Sequence, residues 1–128
     1  MRENMPTLIA CLSSGKGTWT EVIKIIHSQG WDKIFLITNY FSKENFSLKK
    51  ENIHFVLINA FEEVDSMKEK IVRELQGKIN DFEVALNFTS GIGKEHMAIV
   101  EAVLESGLNF RLISVVQGEV KTLGLQAN

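Results

Sequence analysis

Short runs that are apolar at consecutive positions, separated by stretches of helical period, limit what this chain can fold into more than any other feature. Thr7-Leu8-Ile9-Ala10-Cys11-Leu12 is the first such run. A strand that is apolar throughout has to be covered on both faces, as in a parallel sheet sandwiched between helices. Runs at 33–38, 53–58, 83–88 and 110–116 read as further strands, and Gln117-Gly118 turns the chain into a last short one over 120–123. Between them, Trp19, Val22, Ile23 and Ile26 fall on one face of a helix, as do Val64, Met67, Ile71, Leu75 and Ile79 of a longer one. A further helix is predicted over 93–104, with Met97, Val100 and Leu104 on one face and Met97 expected in the core. Thr18 and Glu21 have the spacing of a capping box, and Gly30 suits a helix stop. The polar stretch 39–52 is expected to hold a short helix or an ordered loop.

Strands alternating with helices predict βαβ units. The expected fold is therefore α/β: a three-layer, Rossmann-like arrangement of a mostly parallel sheet of five to six strands, with helices on both faces. One domain is expected over 1–128. Hydrophobic residues at 45% and charged residues at 23% suit a globular core rather than disorder. No apolar stretch reaches the ~18 residues of a membrane span, so no membrane partner is expected. A net charge of −2 and a pI near 5.9 lack the basic face of a duplex nucleic-acid binder. Cys11 is the one cysteine, so no intrachain disulfide forms, which suits a reducing, cytoplasmic setting. Lying within an apolar run, it reads as a small hydrophobe before a nucleophile. His27, His54 and His96 are scattered without metal-ligand spacing, and neither a metal nor a cofactor is expected.

In a doubly wound sheet, ligands bind beyond the carboxyl ends of the strands, where the strand order reverses. With the order 3-2-1-4-5, that reversal lies between the first and fourth strands, and a glycine-bearing loop follows each of them. The first loop is Ser13-Ser14-Gly15-Lys16-Gly17-Thr18. Its glycines let backbone N–H groups approach a phosphate, Lys16 adds a charge, and the following helix offers its positive end. The second loop carries Asn87, Thr89, Ser90, Gly91, Gly93 and Lys94, with His96 and Met97 just beyond. These twelve loop residues are the candidate ligand contacts. Asn87 also suits a structural role, cross-linking the loop through its amide. His96 reads as a surface residue before a catalyst. Tyr40, Phe41 and Phe46 suit packing under the 39–52 segment, with stacking on a base as the other use of such rings.

Gly15-Lys16-Gly17-Thr18 invites comparison with a nucleotide-kinase phosphate loop. The full pattern needs a glycine where Ala10 stands, and Gly17 separates the lysine from the hydroxyl. Strand ends carrying Asn39, Asn59 and Asn87 offer no aspartate for Mg²⁺.

Asn87, Thr89, Gly91, Lys94 and Met97 resemble the Asn-x-Thr-Gly-Gly-Thr-Lys-x-Met signature of CARF domains, the CRISPR-associated Rossmann-fold sensors. The layout of most of the chain fits; the specific residues are confined to the two loops. Ser90 stands where that signature has its first glycine, Gly93 looks inserted, and Met97 falls one residue late. The resemblance implies a homodimer that binds a cyclic oligoadenylate or related nucleotide at its axis, in antiviral signalling. Thr89 and Lys94 would then contact the ligand backbone, with Ser13, Ser14 and Lys16 opposite. The few residues after Leu125 lead us to expect a stand-alone sensor. Three readings stay open: a binding module, a metal-independent ring nuclease on the same site, and a protein-interaction domain with no nucleotide ligand.

Overall fold

The computed structural model describes residues 6–13 and 15–124. Five strands run parallel: β1 (Thr7–Leu12), β2 (Lys33–Thr38), β3 (Ile53–Leu57), β4 (Glu83–Asn87) and β5 (Asn109–Val116). A sixth, β6 (Glu119–Thr122), pairs antiparallel with β5. The order is β3-β2-β1-β4-β5-β6, so the reversal falls between β1 and β4, as expected. Gln117 and Gly118 both take positive φ, 51° and 80°, in the tight turn that joins β5 to β6.

Alternation along β1 divides the core in two. Ile9 and Cys11 point to the face covered by α3 (Val64–Leu75) and α4 (Gly93–Glu105), where they meet Met67, Ile71 and Ile99. Leu8, Ala10 and Leu12 point to the face of α1 (Trp19–Ile26), where Trp19, Val22 and Ile25 are buried. All six β1 residues are buried, the arrangement that continuous apolar runs require. This is the three-layer, mostly parallel, Rossmann-like sheet with helices on both faces.

Local details depart from the sequence expectations at three places. Thr18 stands at the N-cap position of α1 but forms no capping box: it sits in helical geometry at the end of a 3-10 turn (Lys16–Thr18), and its hydroxyl donates back to the Gly15 carbonyl at 2.8 Å instead of capping the helix. α1 ends before Gly30, capped at His27, with the Ser28 hydroxyl donating to the Ile25 carbonyl. Met97 lies outside the core and is 56% exposed. α4 instead seats Ala98, Ile99, Ala102 and Val103 on the sheet, because two alanines allow the helix close approach. The 39–52 segment holds a short helix, α2 (Tyr40–Asn45), capped by Asn39, whose Oδ1 accepts the Ser42 N–H at 2.8 Å.

Candidate functional site

The two loops meet at the carboxyl ends of β1 and β4, and polar side chains buried between them hold them together. The Ser13 N–H donates to Ser90 Oγ at 2.9 Å, and the Ser90 hydroxyl donates back to the Ser13 carbonyl at 3.1 Å. One hydroxyl thus satisfies both backbone groups of Ser13. Glu95 makes the second tie. Its Oε1 accepts the Ser13 hydroxyl at 2.7 Å, the Ile92 N–H at 3.0 Å and the Cys11 thiol at 3.5 Å. The bond to Ile92 is half of a capping box for α4, since an isoleucine side chain has no oxygen to return it. Three donors converging on one buried oxygen fix both loops to the first turn of α4.

Gly91 is where backbone and side chains come closest. Its φ is +98°, and a Cβ there would stand 2.4 Å from Cys11 Sγ and 2.8 Å from Glu95 Oε1. Only glycine fits both the conformation and the space. His96 closes the knot from outside. Its Nε2 lies 2.8 Å from the Ser90 carbonyl, which can only accept, so Nε2 carries the proton. The imidazole also stacks on Phe88 at 4.7 Å between centroids. Burial first, then the charge of Glu95, push the Cys11 thiol far above its ordinary value. It remains a protonated donor inside the knot and does not serve as a thiolate nucleophile.

The sequence-predicted contacts therefore divide. Ser13, Ser90 and Asn87 are buried and spend their polar atoms on the fold. The Asn87 amide donates to the Ile113 carbonyl at 2.8 Å and to Thr89 Oγ1 at 3.0 Å, linking β4, β5 and the loop. Gly15, Lys16, Gly17 and Gly93 are exposed, with Thr18, Thr89, Gly91 and Lys94 half-buried. Ser14 lies outside the described residues. Among the described residues, no carboxyl group pairs with the ammonium of Lys16 or Lys94. The Lys16 ammonium lies over the Trp19 and Phe41 rings at 5.9 and 5.8 Å, and Lys94 stands in the first turn of α4. Glu95 was missed by sequence reading, although its spacing from Ile92 matches half of a capping box.

A cavity of about 550 Å³ opens beside this seam rather than within it. It lies over the ends of β1, β2 and β3, between the Gly15–Trp19 turn, the start of α2 and the 57–61 segment, with Lys70 from α3. Ser13, Gly15 and Lys16 of the first loop line it; no residue of the second loop does. The second loop borders a smaller cavity of about 220 Å³, lined also by Leu112, Ile113, Ser114 and Leu123. Phe46 is buried under the 39–52 segment, edge-on to Trp19 at 5.9 Å, whereas Tyr40 and Phe41 face the large cavity.

The described residues form an α/β fold with two glycine-bearing loops that meet at its strand reversal. In comparison with known proteins, the chain matches no family model and no curated protein. Among the described residues, no helix is long and apolar enough to cross a membrane.

Proposed function

We propose that this chain is a ligand-binding domain of the CARF kind, which recognises a cyclic oligoadenylate or a related phosphate-bearing nucleotide. One observation carries the reading: two loops singled out by residue type meet at the strand reversal, locked by Ser90 and Glu95, and each brings a lysine, Lys16 or Lys94, that has no carboxyl partner among the described residues. A preorganised seam of this kind lets a bound anion use its full charge without first ordering the loops. Ser90 departs from the glycine of the CARF signature for a visible reason, since its hydroxyl bridges both backbone groups of Ser13. In this reading two copies pair so that their seams face one ligand, and signalling follows from binding. His96 acts as a brace for the loop, its Nε2 proton already given to Ser90.

Thermal shift against cyclic and linear oligoadenylates tests the proposal. At about 100 times its dissociation constant a ligand adds about 2.7 kcal/mol, a rise of several degrees in Tm. Cyclic oligoadenylate should raise the Tm of the wild type, and Lys94→Ala should weaken binding about tenfold while keeping the unliganded Tm. Absence of any shift with cyclic or linear oligoadenylate, or equal affinity in Lys94→Ala, overturns it.

A further inference from the structure

Exposed aromatic surface is concentrated in one place on this molecule. Four aromatic hydrophobic side chains are strongly exposed among the described residues: Tyr40, Phe41, Phe61 and Phe82. The first three, at 69%, 61% and 93% exposure, line the 550 Å³ cavity over β1, β2 and β3. They come from two segments distant in sequence, so local chain composition does not explain their convergence. A folded protein gains nothing from presenting three rings to water at the mouth of one concavity. A ligand with an apolar flat face would cover them.

The polar lining narrows the ligand class. Among the described residues, the cavity lining has two lysines, Lys16 and Lys70, and no carboxyl group. Lys70 is neutralised by Glu62 at 2.8 Å, whereas Lys16 has no carboxyl partner among the described residues. The Lys16 ammonium lies 5.9 Å from the Trp19 ring and 5.8 Å from the Phe41 ring, at the junction of the glycine turn and the aromatic wall. The amide side chains of Asn39 and Asn59 add donors and acceptors of the kind that pair with a base edge. The volume falls in the ~300–1,000 Å³ range of small-molecule sites. Flat apolar walls, one free cation and neutral amides together fit a planar heteroaromatic ring joined to an anion.

We propose that this cavity is a separate nucleotide site: the base lies against Tyr40, Phe41 and Phe61, and the phosphate faces Lys16 and the Gly15–Thr18 turn. The site takes Lys16 from the first loop but uses no residue of the second loop, so it stands or falls independently of Lys94. Any ligand here also leans on Trp19, which lines the cavity. Trp31 is buried at the opposite ends of the strands, near the start of β2, with its indole N–H on the Ile25 carbonyl. In Trp31→Phe, Trp19 is the one tryptophan left to report.

The experiment titrates AMP, adenosine and inorganic phosphate into Trp31→Phe by fluorescence, with wild-type thermal shift in parallel. AMP should quench Trp19 and raise the Tm, more tightly than adenosine or phosphate alone. Phe41→Ala and Phe61→Ala should each weaken AMP about tenfold, within the range for loss of one base–aromatic stack. Lys16→Ala should reduce AMP affinity to that of adenosine, and Lys94→Ala should leave it unchanged. The site is overturned if millimolar AMP moves neither signal, if phosphate binds as well as AMP, or if Lys94→Ala weakens AMP as much as Phe41→Ala. Cyclic oligoadenylate binding that depends on Lys94, found together with no AMP signal from Trp19 or Tm, would leave the seam reading intact while removing this one.

Discussion

The seam between the loops and the cavity beside it share Ser13, yet they are built in opposite ways. In the seam, polar side chains are buried and matched: Ser90 serves both backbone groups of Ser13, and Glu95 gathers three donors. In the cavity, apolar rings stand in water and Lys16 has no counter-charge among the described residues. Buried polar groups that are fully satisfied give rigidity and a single geometry. Apolar groups left exposed, and a charge left unpaired, keep free energy available for a ligand. The residues that look most like ligand contacts by type, Ser13, Ser90 and Asn87, are thus the ones that build the frame. The residues free to bind are the exposed glycines and lysines of the loops and the aromatics beside them.

If the seam is as tight as this contrast holds, its glycine should be the most sensitive position in the molecule. Gly91→Ala places a Cβ against Cys11 and Glu95 and forces a side chain into a positive φ. Strain and overpacking together should cost about 3 kcal/mol. For a domain of this size that is a fall of about 10 °C in Tm, read by calorimetry. The exposed Gly93, where a Cβ meets nothing within 4 Å, provides the control: Gly93→Ala should change Tm little. Comparable Tm values for the two variants would mean the loops are not locked.

Glu95 comes next in size. Glu95→Ala leaves the Ser13 hydroxyl and the Ile92 N–H without their acceptor in a buried place. The expected loss is about 2 kcal/mol, measured by urea denaturation at neutral pH. Glu95→Gln keeps an acceptor at the same position and should lose less than half as much. Equal losses for both variants would show that the charge matters and the hydrogen bonds do not, which would break the account of the seam as a matched network.

The sheet was legible because an apolar run of strand length with no polar alternation admits few placements; the strand order was a premise taken from the doubly wound class, since no residue pattern encodes it. The two loops were legible from their glycines and lysines. Glu95 was not, because a glutamate in a first helical turn is ordinarily solvated; its burial depends on β1 ending next to β4, which no local pattern encodes. Met97 misled for a related reason. α4 is apolar around much of its circumference, and the choice of the buried stripe fell to the small residues Ala98 and Ala102, which let the helix approach the sheet. The cavity was half visible: Tyr40 and Phe41 could be named, but Phe61 and Lys70 join them only through the parallel pairing of β2 with β3.

The smallest effect tests whether the cavity rim has a frame of its own. Glu62 holds that rim: its Oε1 accepts the Asn59 N–H at 2.9 Å, and its Oε2 meets Lys70 at 2.8 Å and the Ser66 hydroxyl at 2.9 Å. The Lys70 hydrogen bond, then the Asn59 N–H, lower its pKa from 4.5 to about 2. A depressed folded-state value means the unfolded chain takes up the proton first. The stabilisation is therefore complete above about pH 4.5 and is lost as the pH falls toward 2. Lys70 is partly exposed, so solvent screening keeps the pair's contribution below about 1 kcal/mol. Lys70→Met should accordingly lower stability slightly at pH 7 and flatten the decline between pH 4.5 and 2, as followed by urea midpoints across that range. An unchanged acid slope in Lys70→Met would place the rim's order in the Asn59 N–H and the Ser66 hydroxyl that remain on Glu62. The rim would then be held by neutral donors, as the seam is, and the contrast between a wired seam and an open pocket would narrow.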